Sequence, residues 1–386
     1  MVDKNYNLYR DTYFEIDLDH LSYNISEVQK FISDQTKIAA VVKANAYGFG
    51  SVDIAPTLID GGVEYLAVAN LGEAIELRNH YSNYPILIMG HTPDRYLKEV
   101  IENNLCQTIF TLDQAISLSE LGYKYARKAN IQIKYDTGFN RLGFKANQNS
   151  KDEILHILNL ENINVKGIFS HLALTSYADD LLQLNKFKDL IDFIQKNNYN
   201  IDCYHICDSI SGIDYKDFRL DMIRLGAAMF GLKSYKNEDI TLKNVGTLKT
   251  RISSIKTIDK SEGVGYDYTW KAKRDSVIAT LPFGYADGYP RNMRDKGEVT
   301  IKGVRVPIIG VICMDQCIVD ITDLTNIEVG TEVVIFGDGN NNSVTIQELA
   351  EKSQTNKNDI VTRISRRVPR VYLKNKNISH VSNYLL

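Results

Sequence analysis

Cysteine is scarce and odd in number. Five in 386 residues are too few for the disulfide framework of a small secreted domain and fit reduced thiols. Cys203 and Cys207, like Cys313 and Cys317, are separated by three residues, but no further ligand stands nearby, so no metal site is expected. No apolar stretch approaches the roughly 20 residues that span a bilayer. Residues 1–20 are polar and lack a continuous apolar run, so no secretory signal is expected either. Charge of one sign is also missing: 45 basic against 48 acidic side chains leave a net −3. Without a block of like charge, neither a nucleic acid nor a membrane surface is an expected partner. Walker and dinucleotide glycine fingerprints are absent, so no nucleotide is implied. What remains is 44% hydrophobic and 24% charged, the composition of a cytoplasmic globular enzyme or binding protein. The length suits two or three domains of about 150 residues, or one large barrel with an appendage.

Short runs rich in Val, Ile and aromatics alternate with amphipathic stretches from residue 37 to about 235. The runs are Ile38–Lys43, Tyr65–Ala69, Ile86–Gly90, Gln107–Thr111, Ile131–Asp136, Val165–His171, Ile201–His205 and Leu220–Leu225. Leu71–His80 and Ala178–Lys196 have helical patterning, and Asp94–Asn103 follows a proline suited to a helix start. Eight such alternations predict a (β/α)8 TIM barrel. After residue 240 turns become dense, as in Lys302-Gly303 and Gly337-Asp338-Gly339-Asn340, between runs such as Val304–Val311 and Glu332–Phe336. This predicts a β-rich C-terminal domain with helices near Thr345–Lys352 and Asn358–Arg366. The polar stretch Ser234–Asn244 marks the boundary, giving a barrel over 1–240 and a second domain over 241–386.

Barrel chemistry belongs at the C-terminal ends of the strands. Here those ends carry Lys43, Asp136, His171, His205 and Arg224. Within Ile131–Asp136, the apolar Ile131, Ile133 and Tyr135 share one face, leaving Gln132, Lys134 and Asp136 to point inward. An inward lysine is costly unless paired or neutralised. One such residue is ordinary in a structural core; five at five strand ends are not. The loops after strands seven and eight, Cys207-Asp208-Ser209 and Leu225-Gly226-Ala227, can form the phosphate site common in barrels. A phosphorylated aldehyde cofactor captured by a barrel lysine, pyridoxal phosphate, fits this set.

The segment Ala40-Val41-Val42-Lys43-Ala44-Asn45-Ala46-Tyr47-Gly48-Phe49-Gly50 closely resembles the cofactor-lysine motif of alanine racemases, the fold-type III pyridoxal-phosphate enzymes. Similar matches follow in order. In the barrel these are Tyr135–Gly143, Ser170–Ala173 and Arg224–Gly226. In the second domain they are Val264–Asp267, Pro282–Tyr289, Cys313–Gln316 and Arg367–Tyr372. The likeness runs from about residue 11 to 375.

The resemblance implies pyridoxal 5'-phosphate bound covalently at Lys43, which also acts as one catalytic base. Tyr266 would be the second base, entering the active site from the other subunit of a head-to-tail homodimer. Tyr47, Ser209, Gly226, Ala227 and Tyr372 would hold the phosphate, and His171 would lie against the pyridine ring. Arg224 would bond the pyridine nitrogen, and because a guanidinium keeps its protons, that nitrogen would stay unprotonated. Arg141 would pair with the phenolic oxygen and the substrate carboxylate. Met314 and Tyr285 would line the substrate side. Lys134 stands at a position that is often carbamylated in this family, which would answer its buried charge. The implied activity is interconversion of L- and D-alanine, supplying D-alanine for peptidoglycan.

Some positions depart from the family pattern. Asp267 follows Tyr266 where glycine is common, Asp208 replaces a usual asparagine, Val311 a frequent arginine, and Leu225 and Ala227 a proline and an isoleucine. Tyr372 is retained, which favours alanine over the larger, polar serine. Tyr289, Asp136, His205 and Asp315 are expected to be structural. Competing readings are a racemase for serine or a broader range of amino acids, a barrel decarboxylase, and a non-catalytic pyridoxal-phosphate carrier. Arg224 disfavours the decarboxylase, which needs an acid facing the pyridine nitrogen. The second domain with its Tyr266 disfavours the carrier.

Overall fold

Eight short parallel strands, with the two-residue strand Phe144–Lys145 paired beside the fifth, form the first sheet of the computed structural model, which describes residues 8–33 and 35–386. They are Lys37–Val41, Tyr65–Val68, Ile86–Ile88, Cys106–Ile109, Ala129–Asp136, Ile163–Phe169, Tyr204–His205 and Met222–Leu225. The last strand pairs with the first. The ring is completed by backbone bonds from Asp221 N–H to the Tyr204 carbonyl (3.0 Å) and from Arg224 N–H to the Cys207 carbonyl (3.1 Å). This is the expected TIM-like barrel.

Inward parity on Ala129–Asp136 is as the alternation requires. Ile131, Ile133 and Tyr135 are sealed on the outside, and Gln132 and Lys134 are buried within. The outer helices begin where side chains can accept from free backbone donors. Asn70, Thr111, Asn147 and Ser176 accept from the N–H groups of Glu73, Gln114, Ser150 and Asp179. Each such cap is worth about 1 kcal/mol. The helices they start are Leu71–His80, Leu112–Lys124, Gln148–Leu158 and Tyr177–Lys196.

The second sheet has ten strands, mostly antiparallel, from Ser254–Ile258 at one edge to Asn377–Ser382 at the other. Tyr13–Asp17 lies inside it, antiparallel to Gly246–Arg251 and parallel to Arg370–Lys374. The start of the chain therefore belongs to the β-rich part and not to the barrel, so a cut at residue 240 does not divide the two sheets. Helix Ile346–Ser353 opens on a capping box between Thr345 and Glu348. The next helix, Lys357–Thr362, stops short of the expected Arg366. The reason is Arg370, whose buried guanidinium takes the carbonyls of Ile364 (2.8 Å), Ser365 (2.6 Å) and Val368 (2.5 Å) and turns the chain away.

Candidate active site

A cavity of about 400 Å³ opens at the C-terminal ends of the barrel strands. Lys43, Lys134, Arg141, His171 and Arg224 line it, converging from four different strands or the loops after them. Tyr47, Ser209, Gly226 and Ala227 form another part of its wall.

Lys43 sits just beyond strand Lys37–Val41 and begins an unusual turn. Ala44, Asn45, Ala46 and Tyr47 all have positive φ, between 52° and 57°, and at the first three ψ lies between 48° and 52°. This is a turn of left-handed helix built without glycine, at a cost of about 1–2 kcal/mol per residue. Such strain persists only where the surroundings over-determine it. Glu73 supplies one restraint, accepting from Ala44 N–H (2.7 Å) and Ala69 N–H (2.8 Å). Gly48 follows at φ 88°, and a β-carbon there would lie 2.5 Å from the Val361 carbonyl, so the second domain packs directly on the turn. Burial, then the positive charges of Arg141 and Arg224, lower the Lys43 pKa against the opposing pull of Glu73.

Arg224 is buried, and both of its terminal nitrogens have fixed partners. Nη1 lies 2.8 Å from His205 Nδ1, and Nη2 lies 2.9 Å from both His171 Nδ1 and the Ile206 carbonyl. A guanidinium only donates, so both imidazoles accept through Nδ1 and carry their proton on Nε2. His205 Nε2 then donates to Gln132 Oε1 (2.8 Å). Burial and the Arg224 charge push His171 down to about 2, and they hold His205 well below its usual value. Arg224 itself falls to about 10 through burial and stays charged at neutral pH.

Lys134 has no carboxylate within ion-pair distance among the described residues; its amine lies 5.2 Å from the Phe169 ring centre. Burial first, and Arg224 second, lower its pKa to about 7. Arg141 is exposed to the cavity mouth and rests 4.4 Å over the Phe139 ring. Asp136 shapes the turn leading to it, accepting from Gly138 N–H (2.9 Å) and Asn140 N–H (3.1 Å).

Ser209 accepts from Gly226 N–H (2.8 Å), joining the loops after strands seven and eight. A β-carbon at Gly226 would lie 2.6 Å from the Tyr47 hydroxyl, so glycine keeps this corner open. Asp208 also lines the cavity, with one oxygen engaged: Oδ1 accepts from Ile210 N–H, Ser211 N–H and the Ser211 hydroxyl.

Tyr372 is not at the cavity. It is fully buried, and its hydroxyl lies 2.9 Å from the Phe49 carbonyl and 3.0 Å from Asp53. The alternation of strand Arg370–Lys374 points it at helix Ser51–Asp60. The side chain that the second domain does bring to the cavity is Asn358, which sequence reasoning missed. Its position, the second residue of helix Lys357–Thr362, was legible only as part of a helix.

Tyr266, Met314 and Tyr285 lie outside this cavity too, at 67%, 52% and 38% exposure. The loops of the last two are tied together by bonds from Tyr285 N–H to the Cys313 carbonyl and from Ala286 N–H to the Met314 carbonyl. Buried Asp287 braces them, accepting from Arg10 (2.7 Å) and Arg367 (2.8 Å), and Arg367 also holds Asp315. Tyr289 is buried core.

Comparison with known proteins agrees with this geometry. A family model described as alanine racemase, N-terminal domain, matches residues 16–234, and one described as alanine racemase, C-terminal domain, matches residues 245–372. Alanine racemase 2 of Caldanaerobacter subterraneus is 38% identical over 97% of this chain and 98% of its own length. Alanine racemase of Clostridium tetani is 38% identical over 97% and 99%. The solved alanine racemase of Clostridium difficile superposes with a TM-score of 0.94 at 35% identity, covering 97% of this chain and 99% of that one. That of Bartonella henselae, which contains covalently bound pyridoxal phosphate, superposes at 0.84 with 27% identity, covering 94% and 99%. The chain belongs to the alanine racemase family.

Proposed function

We propose that this chain racemises alanine with pyridoxal 5'-phosphate at the barrel mouth, as a homodimer with shared active sites. The observation that carries the reading is the convergence in one cavity of a lysine amine of lowered pKa, a fixed arginine and a serine–glycine corner. The residues present fit the cofactor. Lys43 would hold it covalently, Tyr47, Ser209, Gly226 and Ala227 would take the phosphate, and His171 and Arg224 would meet the ring. The open corner that a Gly226 β-carbon would fill suits close approach of a phosphate to backbone N–H groups.

When bound, pyridoxal phosphate supplies an electron sink that makes the substrate's Cα proton acidic. Everything else falls to the protein. Lys43, with its lowered pKa, offers more neutral amine near pH 7 and moves the proton on one face of Cα. Tyr266 of the partner subunit moves it on the other face. This accounts for the exposure of Tyr266, Tyr285 and Met314 on a single chain. Arg224 presents charge without a transferable proton, and its two neutral histidines hold it in place. Arg141 receives the substrate carboxylate. Lys134, with no ion pair among the described residues and about half neutral near pH 7, is suited to carbamylation. The resulting carboxylate would hold Arg141. The cytoplasm is the proposed location, where the five free thiols stay reduced. No described helix is long and apolar enough to cross a membrane.

A second reading, toward serine, has one observation in its favour: the Asn358 amide on the cavity wall offers a hydroxylated substrate both a donor and an acceptor. The deciding experiment incubates the purified protein with L-alanine or L-serine in deuterated water and measures D-product and deuterium at Cα. D-alanine formed faster than D-serine supports the primary reading. Labelling of neither amino acid refutes racemisation.

A further inference from the structure

The left-handed turn after Lys43 needs restraints, and several come from the far end of the chain. Arg370 Nε donates to the Gly48 carbonyl (3.0 Å). Asn45 bridges outward: its Oδ1 accepts from Ser51 N–H (2.9 Å), and its Nδ2 donates to the Tyr384 hydroxyl (3.1 Å). The Tyr384 ring lies 5.2 and 5.4 Å from the guanidinium carbons of Arg366 and Arg370. Beside it, the Ser382 hydroxyl donates to Asp53, in the helix that follows the turn. His380 stacks on Tyr372 at 4.3 Å and 13°, with Nε2 3.5 Å from Asp53. The family match ends at residue 372, so Ser382, His380 and Tyr384 all lie beyond it.

We infer that this C-terminal tail, Asn377–Leu386, positions Lys43 by locking the turn that follows it, with Tyr384 as the positioning residue. The inference rests on the reading of Lys43 as the cofactor lysine. Tyr384 touches neither the cavity nor a reacting atom; it acts through Asn45. Without its oxygen the Asn45 amide loses a fixed acceptor, and the main chain gains freedom to leave a conformation that L-residues disfavour. The grip is double. Tyr384 holds the turn directly, and Ser382 and His380 hold Asp53, which anchors the helix leaving the turn.

The test uses the full chain carrying its cofactor, with Tyr384→Phe, a stop codon in place of Asn383, and Leu385→Ala at an exposed tail position as control. Amide hydrogen exchange over residues 44–50 is measured together with kcat and KM for alanine. In Tyr384→Phe, exchange there should rise about fivefold, the factor one ordinary hydrogen bond is worth. A lower kcat at unchanged KM should accompany it. The truncated chain should show at least as large a change, and Leu385→Ala none. Wild-type exchange and kcat in Tyr384→Phe would overturn the inference, as would faster exchange confined to the tail with kcat intact. Borohydride reduction of the unaltered holoenzyme separates the two readings. Absence of a pyridoxyl adduct on Lys43 sinks the cofactor assignment, and the exchange data still decide whether the tail grips the turn.

Discussion

Replacing Lys134 with methionine keeps an unbranched side chain one atom shorter and deletes its charge. In the barrel the residue is 7% exposed and its amine feels Arg224 and Arg141, with Asp136 pulling its pKa upward, and that pKa falls from 10.5 to about 7. At about 1.36 kcal/mol per pKa unit, this corresponds to a penalty on the charged form of up to about 5 kcal/mol. The folded pKa lies below the unfolded one, so between them the unfolded chain binds a proton that the folded chain does not. Stability of the parent protein therefore rises with pH across the window from about 7 to about 10.5, and below it the penalty is present in full. In bicarbonate-free buffer Lys134→Met should unfold at a higher denaturant concentration than the parent. The margin should be largest at about pH 6 and shrink toward pH 10. Bicarbonate should then stabilise the parent and leave the methionine variant unmoved, because only the neutral amine can form a carbamate facing Arg141. A margin that stays flat with pH would refute the buried-amine argument. Equal bicarbonate responses would refute carbamylation.

Other outcomes follow from the same geometry. Lys43→Ala should lose both the covalent cofactor and activity, read by visible absorbance and D-alanine formation. Mixing inactive Lys43→Ala and Tyr266→Phe subunits should regenerate some active sites after verified exchange, and no recovery would argue against sharing. Asn358→Leu, which removes the amide from the cavity wall, should lower the ratio of serine to alanine turnover. Thr345→Ala breaks the capping box of helix Ile346–Ser353 and should cost about 1 kcal/mol in denaturant unfolding with little effect on kcat.

The barrel was legible because period-two alternation and strand-end polar groups are local signals. Ile131, Ile133 and Tyr135 against Gln132 and Lys134 specify which way a strand faces with no knowledge of its partners. The same logic reached Lys43, His171 and Arg224. It failed where the decisive fact is long-range. Tyr372 sits in a matching motif, yet strand parity and the nearby Asp53 carboxylate turn it away from the cavity. Asn358 carries no local signal, and only the docking of its helix against the turn after Lys43 brings it to the wall. Nothing in Ala44-Asn45-Ala46-Tyr47 announces left-handed backbone, because the residue that usually marks it, glycine, comes one position later. Tyr13–Asp17 is too short and too polar in its surroundings to reveal which sheet receives it.

That five-residue strand has a consequence for how the protein is made. It is synthesised long before its parallel neighbour, Arg370–Lys374, with the whole barrel coded in between. The β-rich half therefore cannot finish its sheet during synthesis, and it must wait with an open slot while the barrel is already able to close. Loop closure over so long a span is slow, and until it occurs the waiting edges are exposed to other chains. Gene fragments split near residue 240 should then yield a second half that stays incomplete until the opening residues are supplied in trans.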